Sequence, residues 1–169
     1  MSVERGDRAI NWLQAGGQHY ARFRPEYPPA SAAFLAAASP DTCFAVDVGC
    51  GSGQLAAQLD EELDERFAHF YRNEIGPFWP PERQLVDRGY ADLDFPLAEF
   101  PPPAMAMRKV WSLAELIGYP STWSAVKHAV KQGHGRAIEG FATDLAARWG
   151  DPEARRPVTW PINMRTGIV

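Results

Sequence analysis

The stretch FAVDVGCGSGQLAAQL, residues 44–59, constrains this chain more than any other. An apolar run, CFAVDV at 43–48, leads straight into glycines at 49, 51 and 53, and QLAAQL then begins a helix. Such a run suits a strand buried on both faces of a parallel sheet. Strand, glycine turn and helix form the front half of a βαβ unit, which takes roughly 30 residues and needs a returning strand.

That returning strand is missing from the sequence that follows. Leu59, Leu63, Phe67, Phe70, Tyr71 and Ile75 recur at three- and four-residue spacing, with Asp60, Glu61, Glu62, Asp64, Glu65 and Arg66 mostly around the other side. The pattern is one apolar face of a helix. Nothing between 60 and 80 reads as a second strand, and the helix beginning near Ser52 is expected to run into this segment with no loop between. A lone strand–helix unit cannot cover itself. Uncovered apolar surface of this kind favours association, so a self-associating chain, or one ordered only in its C-terminal helical lobe, is expected.

Elsewhere the elements are easier to place. Gly16 and Gly17, then prolines at 25, 28 and 29, interrupt the N-terminal segment, and ASAAFLAAA at 30–38 has high helix propensity. Residues 76–103, rich in proline and aromatics, read as extended or loop-like, with a helical turn over PPERQLVDRGY. MAMRKVWS reads as a strand. SLAELIGY is a short helix capped by Ser112, with Glu115 completing a capping box. STWSAVKHAVKQG is a helix opened by Ser121 or Thr122 and closed by Gly133, and GRAIEGFATDLAARWGDPEARRP is another. The tail VTWPINMRTGIV reads as an edge strand, because Pro161 would cost a ladder bond in a central one.

Composition narrows the function classes. The 169 residues suffice for one domain, and 46% apolar with 22% charged residues is a globular balance. The net charge of −4, with no basic tract longer than Arg155-Arg156, gives no footprint for nucleic acid. No run reaches membrane-spanning length, and MSVERGDRAI lacks the apolar core of a secretory leader, so a cytoplasmic location without a membrane partner is expected. Cys43 and Cys50 have neither redox nor metal spacing and read as buried thiols.

A glycine turn lets backbone approach a ligand, and the helix start beyond it offers unpaired N–H groups. The P-loop is excluded, because Ser52 is followed by Gly and Gln and no GxxxxGK exists; the run is also GxGxG and not GxGxxG. With Asp47 ahead of the turn, VDVGCGSG resembles motif I of the class I S-adenosylmethionine-dependent methyltransferases. HYARFRPEYP at 19–28 resembles the N-terminal signature of the subgroup that includes trans-aconitate methyltransferase. FYRNEIGPFWPPER, VDRGY, GYPSTWSAVKHAVKQG and WGDPEARRPVTWPINMRTG resemble the C-terminal part of that subgroup.

The resemblance covers residues 8–59 and about 66–168. It implies an α/β, doubly wound, Rossmann-like sheet that uses S-adenosyl-L-methionine to methylate a small molecule such as a carboxylic acid. Asp47, Gly49, Gly51 and Gly53 would hold the methionine end of the cofactor, and the segment with Tyr20, Arg22 and Arg24 would cover the pocket. Between Leu59 and Phe67 the family would carry a long middle portion, which supplies the ribose and adenine contacts. The expectation is therefore one incomplete methyltransferase domain, with an N-terminal part at 1–59 and a C-terminal part at 60–169. It is a truncated Rossmann-like fold whose activity is impaired, or else an inactive deletion remnant or interaction module.

Other candidates have plainer readings. Glu74 stands at a tempting distance beyond the glycine turn for ribose binding, but it follows no strand. Arg22 and Arg24 could meet a carboxylate bidentately or sit in ordinary ion pairs. Trp79, Trp111, Trp123, Trp149 and Trp160 read as packing more readily than as a cage for a sulfonium. His128 and His134 show no metal spacing, and the acidic run 60–65 reads as a solvated face. No metal is expected, and no catalytic side chain is singled out, since methyl transfer asks mainly for alignment.

Overall fold

The computed structural model describes residues 22–38 and 59–168. The expected strand at 43–48 and its glycine turn lie outside them. Helix α1 spans Pro29–Ala38, and none of its residues is buried. Helix α2 spans Glu61–His69 and passes into a wider π turn at Phe70–Glu74. Short helix α3 is Arg83–Asp87, β1 is Ala98–Phe100 and β2 is Met105–Trp111. There follow α4 at Leu113–Gly118, a 3-10 turn at Pro120–Thr122, α5 at Ser124–Lys131 and α6 at Gly135–Trp149. Strands β3, Arg156–Ile162, and β4, Thr166–Ile168, complete the order.

Three expectations need correction. Asp60 is extended, at φ −76 and ψ 160, and its carboxylate accepts from the Leu63 N–H at 3.2 Å, so α2 has a start of its own and does not continue a helix arriving through residue 60. A free carboxylate beside unpaired N–H groups makes an Asp cap favourable. Ser121 and Thr122 do not open α5. Their hydroxyls donate back to the Gly118 and Tyr119 carbonyls, which stabilises the 3-10 turn and moves the cap to Trp123. The tail is two strands, not one, broken between Ile162 and Thr166.

Both sheets among the described residues are two-stranded and antiparallel, β2 with β3 and β1 with β4. Pro161 sits opposite Ala106, where the two-stranded sheet has an open side for a residue without an N–H. The period of two turns Met107, Trp111, Val158 and Trp160 toward the helices and leaves Val110 exposed. Met107 pairs directly with Trp160.

The helices supply the other side of the core. In α6, Ile138, Phe141, Leu145 and Trp149 follow the helical period and are all buried. They meet Leu63 and Phe67 of α2 and Phe70 of the π turn; Phe70 and Phe141 stack at 3.9 Å between centroids. Every member of the buried apolar cluster lies between Leu63 and Trp160. Burial of each such side chain contributes about 1.5–3 kcal/mol. The lobe 60–168 therefore holds its own core. Arg156 fastens its entry by pairing with Asp60, donating to the Trp149 carbonyl at 2.9 Å and lying over the Trp149 ring.

Candidate functional site

Residues 22–28, which precede α1, form a strap laid on this lobe. Pro25 is buried, and the Phe23 ring packs against Gly118, the last residue of α4, so closely that a Cβ there would overlap the ring. Arg24 donates from Nε to the Thr122 hydroxyl at 2.9 Å, and its guanidinium lies 5.3 Å from the centroid of the Tyr119 ring. Thr122 is fixed in turn, because the same oxygen donates to the Tyr119 carbonyl at 2.7 Å. Arg22 remains exposed, with its guanidinium 5.2 Å from the Phe23 ring.

Beneath the strap runs a row of rings. Tyr119 meets Trp123 edge-on at 5.2 Å, and Trp123 meets Trp79 at 5.6 Å and Tyr71 at 5.6 Å. On the other side Tyr119 contacts Trp111 and Trp160, each at 5.7 Å. A second arginine closes the far end: Arg83 lies 4.6 Å from the Trp79 centroid and donates to the Tyr71 hydroxyl at 2.5 Å. That hydroxyl donates to Asp87 at 2.8 Å. Burial pushes the Tyr71 phenol well above its usual value of 10.0, with the Arg83 charge opposing and Asp87 reinforcing the shift. A neutral Tyr71 is thus locked as a donor to Asp87. Trp79, Trp111, Trp123 and Trp160 pack in this row against one another and against Tyr71 and Tyr119.

The sequence candidates separate cleanly. Arg24 belongs to the strap junction, while Tyr20, Asp47, Gly49, Gly51 and Gly53 lie outside the described residues. Glu74 is spent on structure, 2.7 Å from Arg66 and 3.0 Å from His69, and is not presented to a ligand. His128 reaches the Phe78 carbonyl at 3.4 Å, and the exposed His134 ring sits 5.0 Å from Phe78. Among the described residues, no group of three His, Cys, Asp or Glu side chains converges as metal ligands. No helix among them is long and apolar enough to cross a membrane.

Sequence reasoning missed Gly118, Tyr119 and Thr122 as the strap's partners. Their signal was visible: GYPSTWS contains a glycine that a ring can approach and a hydroxyl one turn beyond an aromatic. A shallow cleft of about 220 Å³ lies elsewhere, between Glu99–Pro102 and Met164–Thr166. Arg165 on its wall is committed to the Glu99 carboxylate and to the Tyr90 and Leu93 carbonyls.

No family model matches the chain. It is 29% identical over 66 residues to a Dictyostelium discoideum protein named as a methyltransferase, covering 39% of this chain and 25% of that protein. It is also similar to a solved structure from Anaeromyxobacter dehalogenans described as a type II methyltransferase. That match has 37% identity and a TM-score of 0.59, and covers 65% of this chain and 47% of the other. The chain is therefore methyltransferase-like in sequence and in its mixed α/β structure. It spans about a quarter of the curated relative and about half of the solved one.

Proposed function

We propose that this chain is an S-adenosylmethionine-dependent methyltransferase by descent, of the trans-aconitate methyltransferase-like subgroup. It carries the two ends of a Rossmann-like domain without the middle. One observation carries the reading. Residues 22–28 of HYARFRPEYP, and GYPSTWS, both in segments that suggest the subgroup, lie far apart in sequence and are folded against each other through Phe23–Gly118 and Arg24–Thr122.

In this reading S-adenosyl-L-methionine would supply an activated methyl group, and Asp47, Gly49, Gly51 and Gly53 would hold its methionine end. Tyr20 and Arg24 would cover it. Arg24 contributes orientation: Thr122 and the Tyr119 ring fix its guanidinium plane. The acceptor would be a small molecule, such as a carboxylic acid, in a cytoplasmic setting. Glu74, the described residue weighed for the ribose, is held by Arg66 and His69.

That engagement of Glu74, with a core closed between Leu63 and Trp160, favours a second reading. The chain is then a catalytically inactive deletion remnant or interaction module that does not bind the cofactor and self-associates through exposed apolar surface. Calorimetric titration of folded, monodisperse chain with S-adenosylmethionine, and separately S-adenosylhomocysteine, decides between them. Saturable one-to-one binding supports the first reading. Absence of binding overturns it and leaves ancestry alone.

A further inference from the structure

We propose that Thr122 is a latch, and that its hydroxyl holds the strap at residues 22–28 closed over the Gly118–Tyr119 face through Arg24. The inference deepens the methyltransferase reading, because the strap carries Arg24, which is assigned there to cover the pocket.

The geometry gives Thr122 a direct tie to the strap. Its hydroxyl proton is used on the Tyr119 carbonyl at 2.7 Å, which turns the oxygen lone pairs outward to accept from Arg24 Nε at 2.9 Å. Thr122 is buried, so water competes poorly for that lone pair. The adjacent hydroxyl, Ser121, is buried as well but is committed to the Gly118 carbonyl. The Tyr119 carbonyl also accepts the Thr122 backbone N–H at 3.0 Å. Loss of the hydroxyl therefore strands no buried acceptor in the lobe. What it removes is the direct hydrogen bond from Arg24 to the lobe, while the Phe23 ring on Gly118 and the Arg24 guanidinium on Tyr119 are retained.

The latch differs from the core in its energetic independence. The buried apolar cluster contains no strap residue, so the strap can lift while the lobe stays folded. Lifting uncovers Tyr119, which is 0% exposed with the strap down. Thr122 is thus a positioning residue that acts on Arg24.

Trypsin reads the strap directly. Arg22–Phe23 is cleavable only when the Phe23 ring leaves Gly118, whereas Arg24–Pro25 resists cleavage in any state. On the full chain, Thr122→Val is expected to speed the appearance of the fragment starting at Phe23 about tenfold, the effect of losing one charge-assisted hydrogen bond. Thr122→Ser is expected to restore the wild-type rate. Arg24→Met, which leaves the lobe interior untouched, is expected to match Thr122→Val. Equal cleavage of wild type and both Thr122→Val and Arg24→Met overturns the latch, as does failure of Thr122→Ser to rescue. This readout needs no cofactor. If wild type fails to bind S-adenosylmethionine yet Thr122→Val opens the strap, the methyltransferase reading falls and the latch stands.

Discussion

The Phe23 ring occupies the space that a Cβ on Gly118 would fill. Gly118 ends α4 and is itself buried, so only a residue without a side chain permits the contact. Gly118→Ala sets two effects against each other. Alanine favours a helical position by up to about 1 kcal/mol, but the overlap with the ring costs about 1–3 kcal/mol. Denaturant unfolding is expected to show a net loss. In a Phe23→Ala background the same substitution is expected to become neutral or stabilising, and a loss of equal size in both backgrounds would contradict the contact.

Ser112 and Glu115 exchange hydrogen bonds across the start of α4, Ser112 N–H to Glu115 at 2.8 Å and Glu115 N–H to Ser112 at 3.4 Å. Ser112→Ala is expected to lower stability by about 1 kcal/mol, and Ser112→Asp to retain most of it. Urea melts of the two variants check this. The helix carries Leu116 into the core and Gly118 to the strap, so its loss is also expected to loosen residues 22–28.

Tyr71 has a folded-state pKa raised above its ordinary value of 10.0, chiefly by burial. A phenol that holds its proton more tightly when folded stabilises the fold below the ordinary value. That contribution is lost as pH rises through the unfolded value toward the folded one. Alkaline absorbance titration is expected to show one phenol ionising only as the chain unfolds. Tyr71→Phe is expected to lack that step. Reversible ionisation of Tyr71 with the fold intact would sink the argument.

Glu99 behaves with the opposite sign. Its hydrogen bond to Arg165 lowers its pKa below the ordinary 4.5, so the pairing is present above that value and lost as pH falls through the folded one. Arg165 also holds the Tyr90 and Leu93 carbonyls, at 2.9 and 2.7 Å, and Glu99 lies in β1 opposite Gly167 of β4. Acid is therefore expected to loosen β1 from β4 while the helical core persists. Amide exchange at Gly167, corrected for intrinsic pH dependence, is the measurement. Glu99→Gln is expected to abolish the acid step.

The sequence by itself determined the local elements wherever one period or one cap dominated. The apolar spacing from Leu63 to Ile75, the Ser112–Glu115 box, the helix ending at Gly133 with φ +86 and the alternation through Val158 and Trp160 all appear in the structure. Each is set by contacts within a few residues or by a repeating burial pattern, which a linear reading can follow. The resemblance to methyltransferases was likewise legible from short motifs.

Only the tertiary structure decided what those elements do to one another. Whether Thr122 would cap a helix or turn back on Tyr119 depended on competing hydrogen bonds, and the back-bond freed its oxygen for Arg24, 98 residues away in sequence. Glu74 was a tempting ribose ligand in sequence and became a partner of Arg66 in space. Asp60, which caps α2, is also paired with Arg156, which arrives from the far end of the lobe. Such long-range pairings leave no periodic trace, because each costs chain entropy that only the packed core offsets.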